Sequence, residues 1–287
     1  MLYTLKNNEL TVQVSSLGAE LQSLRTADGT EYLWQGDPAY WSGRCLVMFP
    51  FCGRNPDGKY SLDGRTYELD THGFARRSEF ALTARTNHSL TLTLCDSERT
   101  LAQYPRRFRL SVIFRLTGNA LSVRYEIENR DRRTLFFGIG GHPAFRVPLE
   151  EGLRLEDYRV EFAEPCQPIR IGMSDSGFLT GKDLPYALKD NAIPLTRELL
   201  SHPFCLTGVA ESVRLIGGSR GLTMSFPQTE YFALWQVHKP DTPFVCLEPW
   251  SSLPAAQDQP SVWEQKADLL RLEPGGLCRR EWIVTLE

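Results

Sequence analysis

The chain has 287 residues, of which 41% are hydrophobic and 23% are charged, and its formal net charge is −3. This composition is ordinary for a globular protein and excludes a disordered chain, while the length permits one large domain or two smaller ones. The lysines and arginines are dispersed, so we expect no nucleic-acid partner. The apolar stretches are shorter than a bilayer requires, so we expect no membrane insertion.

The N-terminal segment and the cysteines bear on the cellular location. Lys6–Glu9 is a polar break where a signal peptide would need an apolar core. The seven cysteines include no C-x-x-C pair, and the five histidines lie far apart, so neither a disulfide framework nor a metal site is predicted. We expect a cytoplasmic protein with reduced, mostly buried cysteines and no metal or other cofactor.

The first half of the chain alternates apolar and polar residues, a pattern typical of strands with one buried face. In chain order, the alternating runs are ELTVQV, GKYSLDGRTYEL, SLTLTL, FRLSVIFRL and ALSVRYEI. Asp63-Gly64 and Gly118-Asn119 interrupt this pattern, and such pairs tolerate the positive φ angles of tight hairpins. These segments predict consecutive antiparallel hairpins rather than strand–helix–strand units.

The second half begins with a connection at Gln167–Pro194 that is rich in Gly, Asp, Pro and Ser and is predicted to be irregular. Short helix candidates are PLTRELL (194–200) and SVWEQKADLLRL (261–272), and further strands are predicted at VRLI, LTMSF and REWIVTL. Strands spaced by about 8 to 12 residues predict an all-β fold. We expect a large antiparallel β-sandwich or barrel with few short helices, formed by residues 1–287 as one domain.

The segment GGSRG (217–221) matches the G-x-S-x-G motif of a nucleophilic serine. That motif requires a strand, a strained turn and then a helix. Here strand-like sequence lies on both sides, so we interpret the segment as a hairpin turn and do not assign Ser219 as a nucleophile.

Four stretches place ionisable side chains inside sequence that is otherwise typical of a core. They are MFPFCGRNPDGKY with Arg54, DTHGFARRSEF with His72 and Arg76, GIGGHPAFRVP with His142, and FVCLEPWSSLPAA with Glu248. Buried ionisable groups cost free energy unless they are paired or used. The four stretches therefore predict one polar pocket.

Each of these residues also has a purely structural interpretation. A histidine in a turn, such as His142, is often a hydrogen-bonded structural residue, and Glu248 could be a paired structural carboxylate. Arg54 and Arg76 could be exposed surface charges. The apolar setting of Glu248 is expected to raise the pKa of its carboxyl group.

The tryptophans divide into two groups. Trp34, Trp41 and Trp263 are expected in the core. Trp235 and Trp250 lie before and at the end of the FVCLEPW segment. An exposed aromatic face beside a carboxylate and an arginine suits a sugar, whose C–H faces are apolar and whose hydroxyls need fixed partners.

The chain resembles the aldose 1-epimerase (galactose mutarotase) superfamily, and in particular its LacX-like and hexose-6-phosphate-mutarotase-like branch. The motifs that carry the resemblance occur in order along essentially the whole chain: GRNPDGKY, THGFAR, NRDRRTLFFGIGGHPAF, FVCLEPW and LEPGGLCRREWIVTL. The resemblance implies a galactose mutarotase-like β-supersandwich with a sugar groove on one sheet face. It also implies a cofactor-free isomerase whose partner is a small-molecule hexose or hexose phosphate. The oligomeric state is not indicated.

The resemblance assigns roles to individual residues. His142 would be the general acid and Glu248 the general base. His72 would form a hydrogen bond near the ring oxygen, and Arg54 would contact hydroxyls. Arg76 would suit an anionic substituent.

The implied mechanism opens the sugar ring by proton transfer. It starts from His142 as an imidazolium and Glu248 as a carboxylate near neutral pH. Many mutarotases also carry an aspartate that contacts sugar hydroxyls, whereas the segment expected to hold it here contains His202-Pro203. The glycines before His142 are expected to bring the backbone close to the substrate, and Pro143 is expected to stiffen the turn.

Two other functions fit the same residues. A non-catalytic sugar-binding or sensing protein would need the groove but not both His142 and Glu248. A glycoside hydrolase or lyase would require two carboxylates flanking the scissile bond, and only Glu248 stands out.

Overall fold

The computed structural model describes residues 1–287, and it is built almost entirely of strands. In chain order the strands are β1 (Leu2–Lys6), β2 (Leu10–Ser15), β3 (Leu21–Thr26), β4 (Cys45–Met48), β5 (Lys59–Leu62), β6 (Arg65–Glu68), β7 (Ala81–Arg85), β8 (Ser89–Cys95), β9 (Phe108–Thr117), β10 (Ala120–Asn129), β11 (Leu135–Phe137), β12 (Gly140–Arg146), β13 (Arg159–Phe162), β14 (Ile169–Arg170), β15 (Leu184–Pro185), β16 (Ala192–Pro194), β17 (Phe204–Thr207), β18 (Ser212–Ile216), β19 (Gly221–Ser225), β20 (Tyr231–Trp235), β21 (Phe244–Trp250), β22 (Leu270–Leu272) and β23 (Leu277–Leu286). One α-helix, α1 (Glu98–Gln103), and four 3₁₀ helices complete the structure: Pro56–Gly58, Ala75–Arg77, Leu155–Asp157 and Leu199–Ser201.

Two large antiparallel sheets dominate the fold. The nine-stranded sheet has the order β16-β13-β18-β19-β23-β10-β9-β8-β7, and the seven-stranded sheet has the order β15-β14-β17-β20-β21-β12-β4. A three-stranded sheet, β1-β2-β3, and the two-stranded pairs β5-β6 and β11-β22 accompany them. The prediction of an all-β antiparallel fold with few short helices is confirmed.

The predicted hairpins form where the turn residues permit them. Asp63 and Gly64 both have positive φ, 51° and 69°, and they connect β5 to β6. Gly118 likewise has φ 55° in the turn between β9 and β10. GGSRG connects the paired strands β18 and β19, as predicted, and the Ser219 hydroxyl donates a hydrogen bond of 2.9 Å to the Glu150 carboxylate.

The core contains one cluster of 61 buried side chains drawn from both large sheets. Alternation directs Val123 and Ile127 of β10 into this cluster, together with Val245 and Leu247 of β21. β21 is buried on both faces, so Cys246, Glu248 and Trp250 lie on the opposite face of the seven-stranded sheet. That second face carries the contact between Glu248 and His142.

Both helix predictions are wrong. Residues 194–200 leave β16 and enter only a 3₁₀ turn at Leu199–Ser201. In 261–272, Trp263 is fully buried and stacks on Tyr60 with ring centroids 3.9 Å apart, and the segment ends as β22. This tertiary packing overrides the local helical pattern.

Helix α1 was not predicted. It begins after Ser97, whose side chain accepts a hydrogen bond from the Thr100 backbone N–H, while the Thr100 side chain accepts one from the Ser97 backbone. Thr in place of the usual Glu or Gln made this capping box hard to recognise.

The connection at 167–194 is irregular, as predicted, although it contributes the short strands β14, β15 and β16 at sheet edges. The cysteines are free, and Cys45, Cys52, Cys205 and Cys246 are buried. No helix of the chain has both the length and the apolar character needed to cross a membrane.

Candidate active site

A pocket of about 340 Å³ opens on the outer face of the seven-stranded sheet. All seven residues proposed from the sequence line it, and they are Arg54, His72, Arg76, His142, Trp235, Glu248 and Trp250. The structure thus brings together side chains from the four ionisable stretches of the chain and from β20, which carries Trp235.

The register of the neighbouring strands β12 and β21 brings two ionisable side chains together in the pocket. Ala144 of β12 pairs with Cys246 of β21, and Gly140 pairs with Trp250. This register places His142 opposite Glu248, with His142 Nε2 3.3 Å from Glu248 Oε2. Both residues are buried, with 5% and 1% of their surface exposed. The pair therefore lies at the floor of the pocket, on two hydrogen-bonded strands of the sheet.

Trp250 holds the Glu248 carboxyl group from the same strand. Residues two apart on a strand share a face, and the Trp250 indole N–H donates a hydrogen bond of 3.0 Å to Glu248 Oε2. Trp250 is only 7% exposed. Trp250 therefore lines the pocket, as expected, but it is largely buried and does not offer the exposed aromatic face that was expected.

Burial governs the protonation of the pair. It raises the pKa of Glu248 well above the ordinary carboxyl value, as predicted, and the Trp250 hydrogen bond opposes this rise only in part. Burial also lowers the pKa of His142 to about 3. Burial of both groups thus favours an uncharged pair in which the exchangeable proton resides on Glu248. The predicted resting imidazolium and carboxylate are corrected, because desolvation disfavours both charges.

His72 is held in a strained turn beside the pair. Its φ is +65°, unusual for a residue other than glycine, and its backbone N–H donates to the Gly53 carbonyl at 2.7 Å. In return the Gly53 N–H donates to His72 Nδ1 at 3.1 Å. The acceptor role of Nδ1 puts the proton of the neutral ring on Nε2. Burial and the neighbouring cations lower the pKa of His72 well below its usual value, so His72 is a neutral hydrogen-bond donor.

Two arginines supply positive charge at the pocket. Arg54 is exposed and follows Gly53. Arg76 is half-buried on the 3₁₀ helix Ala75–Arg77, and its Nε is buried without a hydrogen-bond partner. The neighbouring Arg77 instead points to Asp70 and forms an ion pair with it. Arg76 is therefore a cation with unused hydrogen-bonding capacity.

Among the pocket residues that were missed from the sequence, two have side chains that bear on the chemistry of the site, Trp41 and Asp175. Trp41, expected in the core, is half-buried and lines the pocket, where it stacks on the His142 imidazole with ring centroids 4.9 Å apart. Asp175 also lines the pocket, and its Oδ1 lies 2.8 Å from His202 Nδ1. The hydroxyl-binding aspartate sought near His202 therefore has a candidate in Asp175. Trp41 lies in a loop and Asp175 is exposed, so neither belongs to the alternation of apolar and polar residues from which the strands were predicted.

The glycines before His142 do not approach the pocket, contrary to expectation. A Cβ on Gly140 would lie 2.7 Å from the Met48 methyl group, and one on Gly141 would lie 2.7 Å from the Trp282 indole nitrogen. Neither glycine lines the pocket. Their small size instead lets β12 pack closely on its neighbours.

One group of side chains has the ligand types that a metal ion could use. The ligand atoms of His142, Cys246 and Glu248 lie within 4.8 Å of one another. Burial, however, raises the pKa of the Cys246 thiol well above its ordinary value, which disfavours the thiolate that binds metals. Cys246 also does not line the pocket. The prediction of a metal-free site remains a prediction.

The fold and the pocket define a protein of the galactose mutarotase-like class. A solved structure of a galactose mutarotase related enzyme from Lactobacillus acidophilus superimposes with a TM-score of 0.96 at 29% identity, covering 100% of this chain and 97% of that one. A galactose mutarotase-like protein from Lactobacillus casei gives a TM-score of 0.93 at 28% identity, with both chains covered completely.

Sequence comparison gives the family. The sequence model of aldose 1-epimerase matches residues 1–275, and the chain therefore belongs to the aldose 1-epimerase family. The chromosomal LacX protein of Lactococcus lactis is 32% identical over 299 aligned positions, which cover 100% of this chain and 99% of LacX. The resemblance noted from the motifs is confirmed.

Proposed function

We propose that this protein is an aldose 1-epimerase that interconverts the α and β anomers of a hexose or hexose phosphate. The observation that carries the proposal is the 3.3 Å contact between His142 Nε2 and Glu248 Oε2 at the floor of the pocket. Anomer exchange removes a proton from one sugar oxygen and delivers one to another. Two groups that share a single proton meet that need, and membership of the family supports an isomerase.

Ring opening proceeds by two proton transfers. Glu248 accepts the proton of the C1 hydroxyl while His142 donates a proton to the ring oxygen. The bond between C1 and the ring oxygen breaks, its electron pair goes to that oxygen, and C1 becomes an aldehyde carbon. Rotation about C1–C2 and the reverse transfers close the ring on the other face. No atom changes oxidation state over the full reaction, so the chemistry requires no redox cofactor.

The resting pair must first move its proton from Glu248 to His142. The 3.3 Å contact lets this transfer occur directly. Sugar hydroxyls that donate hydrogen bonds to Glu248 favour its carboxylate form, and the Trp250 indole N–H acts in the same direction. Substrate binding thus promotes the charge distribution that the reaction uses.

The rate acceleration that the proposed mechanism must supply is modest. A positioned general acid or base contributes about 10²- to 10⁴-fold, which corresponds to roughly 3–5 kcal/mol of the barrier. Mutarotation proceeds unaided in water, so two such groups and a positioned sugar are sufficient.

Each of the remaining pocket residues recognises a different part of the sugar. His72 donates its Nε2–H toward the ring oxygen, Arg54 and Asp175 contact hydroxyls, and Trp235 offers an apolar face. Arg76 suits an anionic substituent, because its buried Nε has no partner in the chain. This feature favours a phosphorylated hexose as the second candidate substrate class.

The experiment that tests the proposal measures anomer exchange of freshly dissolved glucose, galactose and glucose-6-phosphate by polarimetry or NMR, with and without the protein. Faster equilibration of any of them supports the epimerase. Binding without acceleration would support the non-catalytic sugar sensor, and release of reducing ends from a glycoside would support a hydrolase.

The free cysteines are consistent with the predicted cytoplasmic location.

A further inference from the structure

The His142 imidazole has no hydrogen bond that fixes its second nitrogen. Nε2 faces Glu248, whereas Nδ1 is buried and has no partner. In many functional histidines a carbonyl or carboxylate at the second nitrogen sets the tautomer and the ring plane. The orientation of this ring must therefore come from its other contacts.

Aromatic rings surround His142 on three sides. Trp41 stacks on its face, with centroids 4.9 Å apart and planes inclined by 29°. Trp235 and His72 make edge contacts, with centroids at 5.3 Å and 5.5 Å. Of these three, only Trp41 covers a face of the imidazole, so it restricts both rotation of the ring and access of water.

Trp41 comes from the loop between β3 and β4 rather than from the sheet, and specific contacts hold it. The Trp34 indole N–H donates a hydrogen bond of 2.8 Å to the Trp41 carbonyl. The Trp41 ring also lies directly against Gly43, where an added Cβ would be 2.4 Å from Trp41 Cζ2. Gly43 thus leaves the space that the indole occupies.

We propose that Trp41 is a positioning residue for His142: its indole holds the imidazole plane against Glu248 and keeps water off the imidazole face. The kinetic part of this inference rests on the proposed epimerase function. The structural part, which concerns the environment of His142, does not.

The groups that face His142 define what its titration reports. They are Glu248 and Cys246 from β21, His72 from the turn after β6, and Arg76 from the 3₁₀ helix Ala75–Arg77. Burial is the main cause of the low pKa of His142, and Arg76 adds to it. Removal of the Trp41 indole admits water on one face, so the pKa of His142 should rise toward the ordinary 6.5.

Two variants displace the indole in independent ways. Trp41→Ala removes it, and Gly43→Ala keeps it but fills the space that it occupies. We expect each variant to lower kcat by about 10- to 100-fold with a KM change below about threefold. In both, NMR titration of the His142 ring should show a raised pKa. Trp41→Phe, which retains an aromatic face, should restore most of kcat, and Ser42→Ala in the same loop is the matched control.

The outcomes separate this inference from the proposed function. If the wild-type protein accelerates no sugar, the epimerase proposal fails, and the His142 titration still tests Trp41. An unchanged His142 titration in both Trp41→Ala and Gly43→Ala overturns the inference. A change confined to KM also overturns it, because Trp41 would then be a sugar-binding face. If Trp41→Ala does not fold, Gly43→Ala and Trp41→Phe decide the matter.

Discussion

At the scale of single residues, burial sets the number of protons that Glu248 and His142 hold. The raised pKa of Glu248 and the lowered pKa of His142 leave one exchangeable proton on the pair over a wide pH range, in addition to the N–H that a neutral imidazole always carries. An acid and a base are present together only in this singly protonated state. The two pKa values therefore mark the limits of activity.

The pH dependence of anomer exchange should follow from these limits. Activity falls on the acid side when His142 is protonated in addition to Glu248, near pH 3. It falls on the alkaline side when Glu248 ionises, well above the ordinary 4.5. We expect kcat/KM, measured by polarimetry, to show no loss as the pH is lowered through 6.5, the ordinary value for histidine. A loss of activity on lowering the pH through 6.5 would contradict the burial argument for His142.

Removing either member of the pair should remove catalysis. We expect Glu248→Gln and His142→Asn each to reduce acceleration by about 10²-fold or more, because neither amide transfers a proton at these pH values. Circular dichroism should show an intact fold, since neither residue belongs to the large buried cluster of the core. Full activity in either variant would contradict the assignment of Glu248 as the general base and His142 as the general acid.

Arg76 should distinguish phosphorylated from neutral sugars. A hydrogen bond between charged groups contributes about 1.5–3 kcal/mol, so Arg76→Met should raise KM for glucose-6-phosphate by about 10- to 100-fold and leave neutral hexoses nearly unchanged. Arg77→Met is the matched control, because Arg77 is exposed and paired with Asp70. Equal effects of both variants would show that Arg76 has no special role.

The sequence located the pocket because ionisable residues in apolar surroundings carry a recognisable signal. Arg54, His72 and Glu248 interrupt core-like runs, and the structure places them around one pocket. Trp41 and Asp175 lie in loops where aromatic or acidic residues are unremarkable. Their places in the pocket depend on how distant segments pack, which local patterns do not report.

At the scale of elements, the β5–β6 hairpin is anchored by a buried cation. Arg106 is 1% exposed and makes two hydrogen bonds to the Asp63 carboxylate, at 2.8 and 2.9 Å. Arg133 contacts the same carboxylate at 2.8 Å. Asp63 therefore serves both as a turn residue with positive φ and as the counter-charge of a buried arginine.

The variant Asp63→Asn separates these two roles, since Asn also tolerates positive φ. We expect it to lower the free energy of unfolding by about 1–3 kcal/mol, less than for a fully buried pair, because Asp63 is 39% exposed. Arg106 lowers the pKa of Asp63, so the wild-type advantage is present above pH 3.8, the ordinary value, and is lost as the pH falls further.

Urea denaturation at several pH values measures this effect. Asp57→Asn is the control, because Asp57 also has φ 51° but is exposed. A loss of stability that is equal in both variants, or that persists at low pH, would contradict the role of the ion pair.

Strands were easier to predict than helices, for a physical reason. An alternating pattern over several residues, as in β9 and β10, already specifies which face is buried. A short amphipathic run such as 261–272 specifies a helix only if nothing else competes. Here the burial of Trp263 against Tyr60 outweighs the helical preference.

At the scale of the whole molecule, one buried cluster connects the large sheets and both ends of the chain. It includes Leu5 of β1 and Leu286 of β23. The Tyr32 hydroxyl also donates a hydrogen bond of 2.6 Å to the Glu287 carbonyl. These contacts favour the prediction that residues 1–287 behave as one domain.

One domain should unfold in one transition. We expect urea denaturation curves from tryptophan fluorescence and far-UV circular dichroism to coincide. Trp282 in the core and the pocket tryptophans report on opposite faces of the seven-stranded sheet. Two separated transitions would indicate that the sheets are independent units.

The position of β23 bears on how the protein is made. β23 lies between β19 and β10 in the middle of the nine-stranded sheet, yet it is the last strand in the chain. During synthesis, one edge of β10 therefore stays without a partner strand until residues 277–286 have been made. Exposed strand edges of nascent chains promote aggregation. The facing edges of β10 and β19 therefore stay open to unwanted strand pairing until residues 277–286 insert between them.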